Sequence, residues 1–153
     1  MKKTNKGFSM VELIIVIAIM AILAGALAPA LIKYINKSRI STDIQTGQTI
    51  ATAITTALSN EGAFDVAPSG TSAWAMHPLA AGDLTGDSFK TEFASALGVS
   101  SVPTGKAKKD MQGNAMDQTF YIDLDASTNL IKVYVGAANA TNEVYPDTGS
   151  NLK

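Results

Sequence analysis

The sequence has 153 residues and a formal net charge of −1, enough for one compact domain with an appended segment. Cysteine is absent, which excludes a disulfide framework and a thiolate metal site. Residues 41–153 hold twelve acids against six lysines, and this acidic balance argues against a phosphate-binding surface, so no nucleic-acid partner is expected.

The chain opens on a basic leader, residues 1–7, carrying Lys2, Lys3 and Lys6. Between Glu12 and Lys33 lie twenty residues without a charge, Leu13 to Ile32, about the length a helix needs to cross a bilayer core. Glu12 sits at the edge of that run, with Phe8, Met10 and Val11 before it and Leu13, Ile14 and Ile15 after it. An acidic side chain in a membrane helix costs on the order of 2.5–3.5 kcal/mol on insertion scales, so a partner or a role is expected. A cut between Gly7 and Phe8 would supply one. The freed α-amino group of Phe8 would be a cation four residues before Glu12, on the same face of a helix beginning at Phe8. Within one chain or between two, such a pair is worth most where the dielectric is low and neither charge can be left alone.

A second way of processing this end competes with the first. Lys2 to Lys6 would be the n-region of a secretory signal, the apolar run its h-region, and Ala26-Leu27-Ala28 the cleavage site. Glu12 inside the run and Pro29 directly after that cut count against it. Pro29 also lacks the N–H that would bond the Gly25 carbonyl, which makes Gly25–Pro29 the weak point of the helix. Charge counting leaves orientation open, because Lys33, Lys37 and Arg39 balance the three leader lysines.

Lys6-Gly7-Phe8-Ser9-Met10-Val11-Glu12-Leu13 resembles the processing site of type IV pilins and pilin-like proteins, a basic leader and K/R-G followed by F-T-L-[IV]-E-L. Ser9 stands for the usual Thr and Met10 for the usual Leu. The resemblance implies cleavage after Gly7 by a prepilin peptidase, N-methylation of Phe8, and pairing of Glu12 with the Phe8 amine of an adjacent subunit. It also implies a cytoplasmic leader, an external C-terminal domain, and a helix that melts locally near Gly25 and Pro29 when it passes from bilayer to filament. The partners so implied are further copies of the chain in a helical filament, the assembly platform and minor pilins. Pilins without cysteine are more similar to those of Gram-positive bacteria, or to pseudopilins.

Beyond Lys33 the helix becomes amphipathic, with Ile40, Ile44, Gly47, Ala51, Ile54 and Leu58 at spacings of three and four. Ser41, Asp43, Gln45, Gln48, Thr49, Thr52 and Thr55 fall mostly elsewhere around it. Asn60-Glu61-Gly62 supplies a stop, with Gly62 as a left-handed cap. Residues 62–84 read as an irregular connection in which Trp74 pins the loop to the core and His77 is structural. Asp87-Ser88 to Leu97 forms a short helix stopped by Gly98, with Phe89, Phe93, Ala96 and Leu97 inward.

Residues 99–117 read as a loop whose Lys106, Lys108 and Lys109 form a solvated turn or meet an acidic neighbour in a filament. Thr119–Leu124 and Leu130–Val135 alternate apolar and polar residues and form a half-buried antiparallel hairpin. Asp123 to Asn129 resembles the start of a calcium loop, but Thr128 and Tyr134 occupy the positions that need glycine and glutamate, leaving a turn. Residues 137–153 read as a loop packed through Val144 and Tyr145, with a mobile end. Asn36-Lys37-Ser38 and Asn139-Ala140-Thr141 match the N-glycosylation pattern by chance.

The expected fold class is α+β, a long N-terminal helix, half transmembrane and half amphipathic, packed on a small antiparallel sheet. The expected division is leader 1–7, transmembrane helix 8–32, amphipathic continuation 33–61 and head 62–153. No hydrolase constellation, phosphate loop or zinc spacing is present, so the chain is read as a structural subunit, not an enzyme, with no cofactor and no metal. Three roles follow: a subunit of a surface type IV pilus serving adhesion, twitching or colonisation; a pseudopilin of a secretion or DNA-uptake machine; and an anchored or secreted binding domain that does not polymerise.

Overall fold

The computed structural model describes residues 7–137 and 140–153; the leader lysines Lys2, Lys3 and Lys6, and Asn139, lie outside the described residues. Contacts divide the chain into two units, Met1–Ile35 and Asn36–Lys153. Helix α1, Met10–Leu58, belongs to both.

In the first unit α1 is apolar all round. Ile14, Ile15, Val16, Ile17 and Leu23 are each about half exposed, and Ile22 is 72% exposed. An 18-residue window reaches a mean hydropathy of 2.7, long and apolar enough for a membrane span. The helix continues through Pro29. It begins at Met10 rather than Phe8, because Ser9 takes the cap position and leaves Phe8 outside the helix.

In the second unit the amphipathic part of α1 lies on a four-stranded antiparallel sheet in the order β1-β2-β3-β4. The strands are β1 Trp74–Pro78, β2 Phe120–Asp125, β3 Leu130–Val135 and β4 Glu143–Tyr145. Phe120 pairs with Val135, Ile122 with Val133 and Leu124 with Ile131, so the alternating apolar residues of β2 and β3 share one face. That face meets Ile40, Gly47, Ile50, Ala51, Ala53, Ile54 and Ala57 of α1 in one core. Ile50 and Ile54 are fully buried, each worth about 1.5–3 kcal/mol over exposure.

Gly47 sets how closely helix and sheet approach. A Cβ there would overlap Val144 Cγ2 and stand 3.6 Å from Val133 Cγ1. Alanine favours a helix by about 1 kcal/mol over glycine, yet the overlap is the larger effect. Gly47→Ala is expected to destabilise this unit by up to about 2 kcal/mol net, the overpacking cost of about 1–3 kcal/mol less the propensity gain. Urea unfolding of the detergent-solubilised chain, followed by the single tryptophan Trp74, measures it; a stabilised variant would mean that β4 moves aside at no cost.

Helix α3, Ser88–Leu97, is capped by the Asp87 side chain on the Lys90 amide and ended by Gly98 at φ 68°. Phe89, Phe93 and Leu97 are buried, whereas Ala96, on the same face by its spacing but in the last turn, is exposed. Four further expectations need correction. Gly62 is not a left-handed cap: it lies inside a short helix α2, Glu61–Phe64, whose start is capped by the Asn60 side chain on the Ala63 amide. Residues 62–84 are not all irregular, since β1 pairs with β2 through a bulge at Met76, φ 51°. Residues 143–145 form a strand, not a loop, pairing with β3 and burying Val144.

The fourth correction is Asp43. It is 1% exposed, inside the core stripe, and its carboxylate accepts the backbone amides of Lys106 at 2.6 Å and Ala107 at 2.8 Å. A buried carboxylate is tolerated there because the loop Gly105–Ala107 presents two amides that lack a strand partner.

Candidate processing and assembly site

Gly7, Phe8 and Ser9 are non-helical and exposed, directly before α1. Ser9 caps the helix. Its hydroxyl accepts the Val11 amide at 3.3 Å, its carbonyl accepts the Leu13 amide at 3.2 Å, and its own amide donates to Glu12 Oε2 at 2.9 Å. Ser9 is therefore the N-cap, its hydroxyl on the N2 amide, and Glu12 at N3 makes the return bond of a capping box. The signature S-x-x-E is visible in the sequence, beside the more conspicuous charge at the edge of the apolar run.

This geometry changes the expectation for Glu12. Before any cut the carboxylate already has a local donor, and it stands at the positive end of the helix dipole. With Phe8 before the N-cap, its backbone nitrogen, still a peptide amide in the uncut chain, does not share a helix face with Glu12. Cleavage after Gly7 would instead place a cation one residue before the amide that Glu12 holds.

Farther along, Pro29 removes one backbone bond, and a Cβ on Gly25 would meet nothing within 4 Å, so the pair leaves a thin stretch of helix without neighbours. The site residues Gly7, Phe8, Glu12, Gly25 and Pro29 all lie in the first unit, Met1–Ile35.

The second unit offers different chemistry. His77 Nε2 lies 2.9 Å from Asp83 Oδ2, and the same oxygen accepts the Ala80 amide at 2.9 Å. The His77 ring stacks on Trp74 with centroids 4.4 Å apart, and Trp74 meets Phe89 edge-on at 5.9 Å. These contacts tie β1 to the turn Ala81–Leu84 and to α3, and they occupy His77 structurally. Among the described residues, no group of three or more His, Asp or Glu side chains is placed to hold a metal. The Asp123–Asn129 segment closes as a turn, with Asp125 Oδ1 accepting the Ser127 and Gly70 amides. Asn36 of the first glycosylation match donates its amide to the carbonyls of Lys109 and Asp110.

Comparison with known proteins places one assignment on this end of the chain. Residues 2–28 match the prokaryotic N-terminal methylation motif, the class III signal peptide of type IV pilins. No curated protein and no solved structure matches the chain. The motif supports a precursor of the type IV pilin or pseudopilin type, and the apolar helix is long and apolar enough to anchor such a precursor in a membrane. The motif implies processing by a prepilin peptidase and assembly into a pilus-like system.

Proposed function

We propose that this chain is a structural subunit of a type IV pilus, a prepilin cut after Gly7, methylated on Phe8 and polymerised into a helical surface filament of identical copies. The observation that carries the reading is a single carboxylate, Glu12, at the head of an uncharged twenty-residue run and inside the matched motif, residues 2–28. Such a residue is costly in lipid and useful when a neighbour's amine can neutralise it. Repeating one head-to-tail contact whose rotation does not close generates a filament, in which apolar helices exchange lipid for one another. Gly25 and Pro29 serve as the place where the helix yields during that transfer. The assembly platform and minor pilins are the remaining partners. Adhesion, twitching or colonisation is the work of the finished fibre, and the chain performs no catalysis of its own.

The absence of cysteine supports a second reading equally, a pseudopilin of a secretion or DNA-uptake machine, since both it and a Gram-positive surface pilin dispense with a disulfide. One experiment separates the two. Intact mass and N-terminal residue are measured on native protein from membranes and from sheared surface material. The expected result is a methylated Phe8 terminus in the sheared fraction. The same terminus confined to membranes supports the pseudopilin, and a terminus at Pro29 or an uncut Met1 chain overturns both.

A further inference from the structure

The cations of the unit Asn36–Lys153 are segregated. Lys37, Arg39, Lys106, Lys108 and Lys109 belong to two segments that the fold joins, because Asn36 Nδ2 donates to the Lys109 carbonyl at 3.0 Å and Asp43 holds the Lys106 and Ala107 amides. Lys37 and Arg39 lie between those two anchors on α1, and all five basic residues are exposed. The acids of the same segments, Asp43 and Asp110, are buried. Asp43 is spent on backbone amides, and Asp110 accepts the backbone and side-chain amides of Asn114 at 2.8 Å each. The ion pairs among the described residues, His77–Asp83 and Lys132–Glu143, involve none of the five. The rest of this unit carries three cations, Lys90, Lys132 and Lys153, against ten acids.

We propose that this basic cluster docks on the anionic headgroups of the bilayer that holds the apolar helix, while the subunit waits to be assembled. The proposal rests on the membrane-anchored reading of residues 8–32. Two observations select lipid as the occupant. Lys37 is the fifth residue beyond Ile32, where the uncharged run ends, so the cluster is continuous in the chain with the span. The set is also four ammonium groups and one guanidinium on exposed side chains around a backbone-anchored loop, point charges suited to mobile phosphates rather than to one rigid partner. Each basic residue near an anionic surface strengthens attachment about fivefold, and the attraction fades within a Debye length. The acidic remainder of the unit is repelled by the same surface, so the charge pattern selects which region meets the membrane.

The test uses the full chain reconstituted in phosphatidylcholine vesicles with and without phosphatidylglycerol. Acetylation rates of individual lysines are read by mass spectrometry. With phosphatidylglycerol at low salt, Lys37, Lys106, Lys108 and Lys109 are expected to react about fivefold more slowly than in neutral vesicles. Lys90 and Lys153 should be unchanged, and high salt should remove the difference. The triple variant Lys106→Gln, Lys108→Gln, Lys109→Gln retains the backbone anchors to Asn36 and Asp43 and should restore the reactivity of Lys37. Equal rates in both vesicles overturn the proposal, as does equal protection of Lys90, which would mean indiscriminate adsorption. Protection that appears in neutral vesicles and grows with protein density identifies the acidic region of a second copy as the occupant and overturns it too. A chain that fails to float with either vesicle overturns the membrane reading itself, and the proposal with it.

Discussion

Glu12→Ala chains are expected to be cut after Gly7 and retained in the membrane while yielding almost no filament. In the proposed filament the carboxylate neutralises the Phe8 amine of a neighbour, and removing one member of a buried pair leaves an uncompensated charge costing about 3–5 kcal/mol. That is roughly a hundredfold or more per contact. Insertion should not suffer, since alanine is cheaper in lipid than a carboxylate. The capping box complicates a simple reading of this variant. Glu12 also accepts the Ser9 amide at 2.9 Å, and loss of a cap costs about 0.5–2 kcal/mol at the helix start. Glu12→Gln separates the two effects, because glutamine can fill the N3 position without a charge. If the ion pair drives assembly, Gln fails as Ala does; if only the cap matters, Gln assembles. The measurement is sheared filament mass per cell alongside the fraction of processed chain in membranes. Normal filaments from Glu12→Ala would contradict the assignment of Glu12 to assembly.

What was legible in the sequence depended on how strongly local chemistry constrains local structure. The uncharged run, the motif around Gly7–Phe8 and the alternation of Phe120, Ile122 and Leu124 each rest on one physical rule, and each corresponds to an observed element. Helix α3 was legible for the same reason, with Asp87 and Gly98 marking both ends. The capping box at Ser9 and Glu12 was written in the sequence but masked by the more conspicuous membrane charge. Strand β1 was hidden because Trp74–Pro78 does not alternate: Ala75 and Met76 are both exposed, and the bulge absorbs the mismatch. Strand β4 has three residues, too few for any period, and exists because Gly47 leaves room for Val144.

The buried acid was the least legible feature of all, since a carboxylate between Thr42 and Ile44 reads as solvent-facing until the loop that satisfies it is known. Asp43→Ala is expected to destabilise the unit Asn36–Lys153 by about 2–5 kcal/mol at neutral pH, the larger of the stability effects anticipated for this chain. The substitution leaves the buried Ala107 amide and the part-buried Lys106 amide without acceptors, and each orphaned donor costs about 1–3 kcal/mol. It also frees the Gly105–Ala107 loop, which approaches Val135 closely enough that a Cβ on Gly105 would stand 3.1 Å from its Cγ2. Asp43→Asn should cost less, because the amide oxygen keeps one donor while its NH2 faces the other.

The pH dependence has a definite sign. Burial pushes the Asp43 carboxyl above its ordinary value, against the opposing pull of the Ala107 and Lys106 amides and the Lys106 charge. A group that binds its proton more tightly when folded contributes stability fully present below the unfolded value of about 3.9 and lost as pH rises through the folded one. The gap between the parent and Asp43→Ala should therefore widen on acidification towards that range. Urea unfolding monitored by Trp74, with amide exchange at Lys106 and Ala107, tests both parts. A variant within 0.5 kcal/mol of the parent, the range of ordinary surface substitutions, would mean that water replaces the carboxylate. A gap that narrows with acid would show instead that hydrogen bonding, not burial, governs its titration.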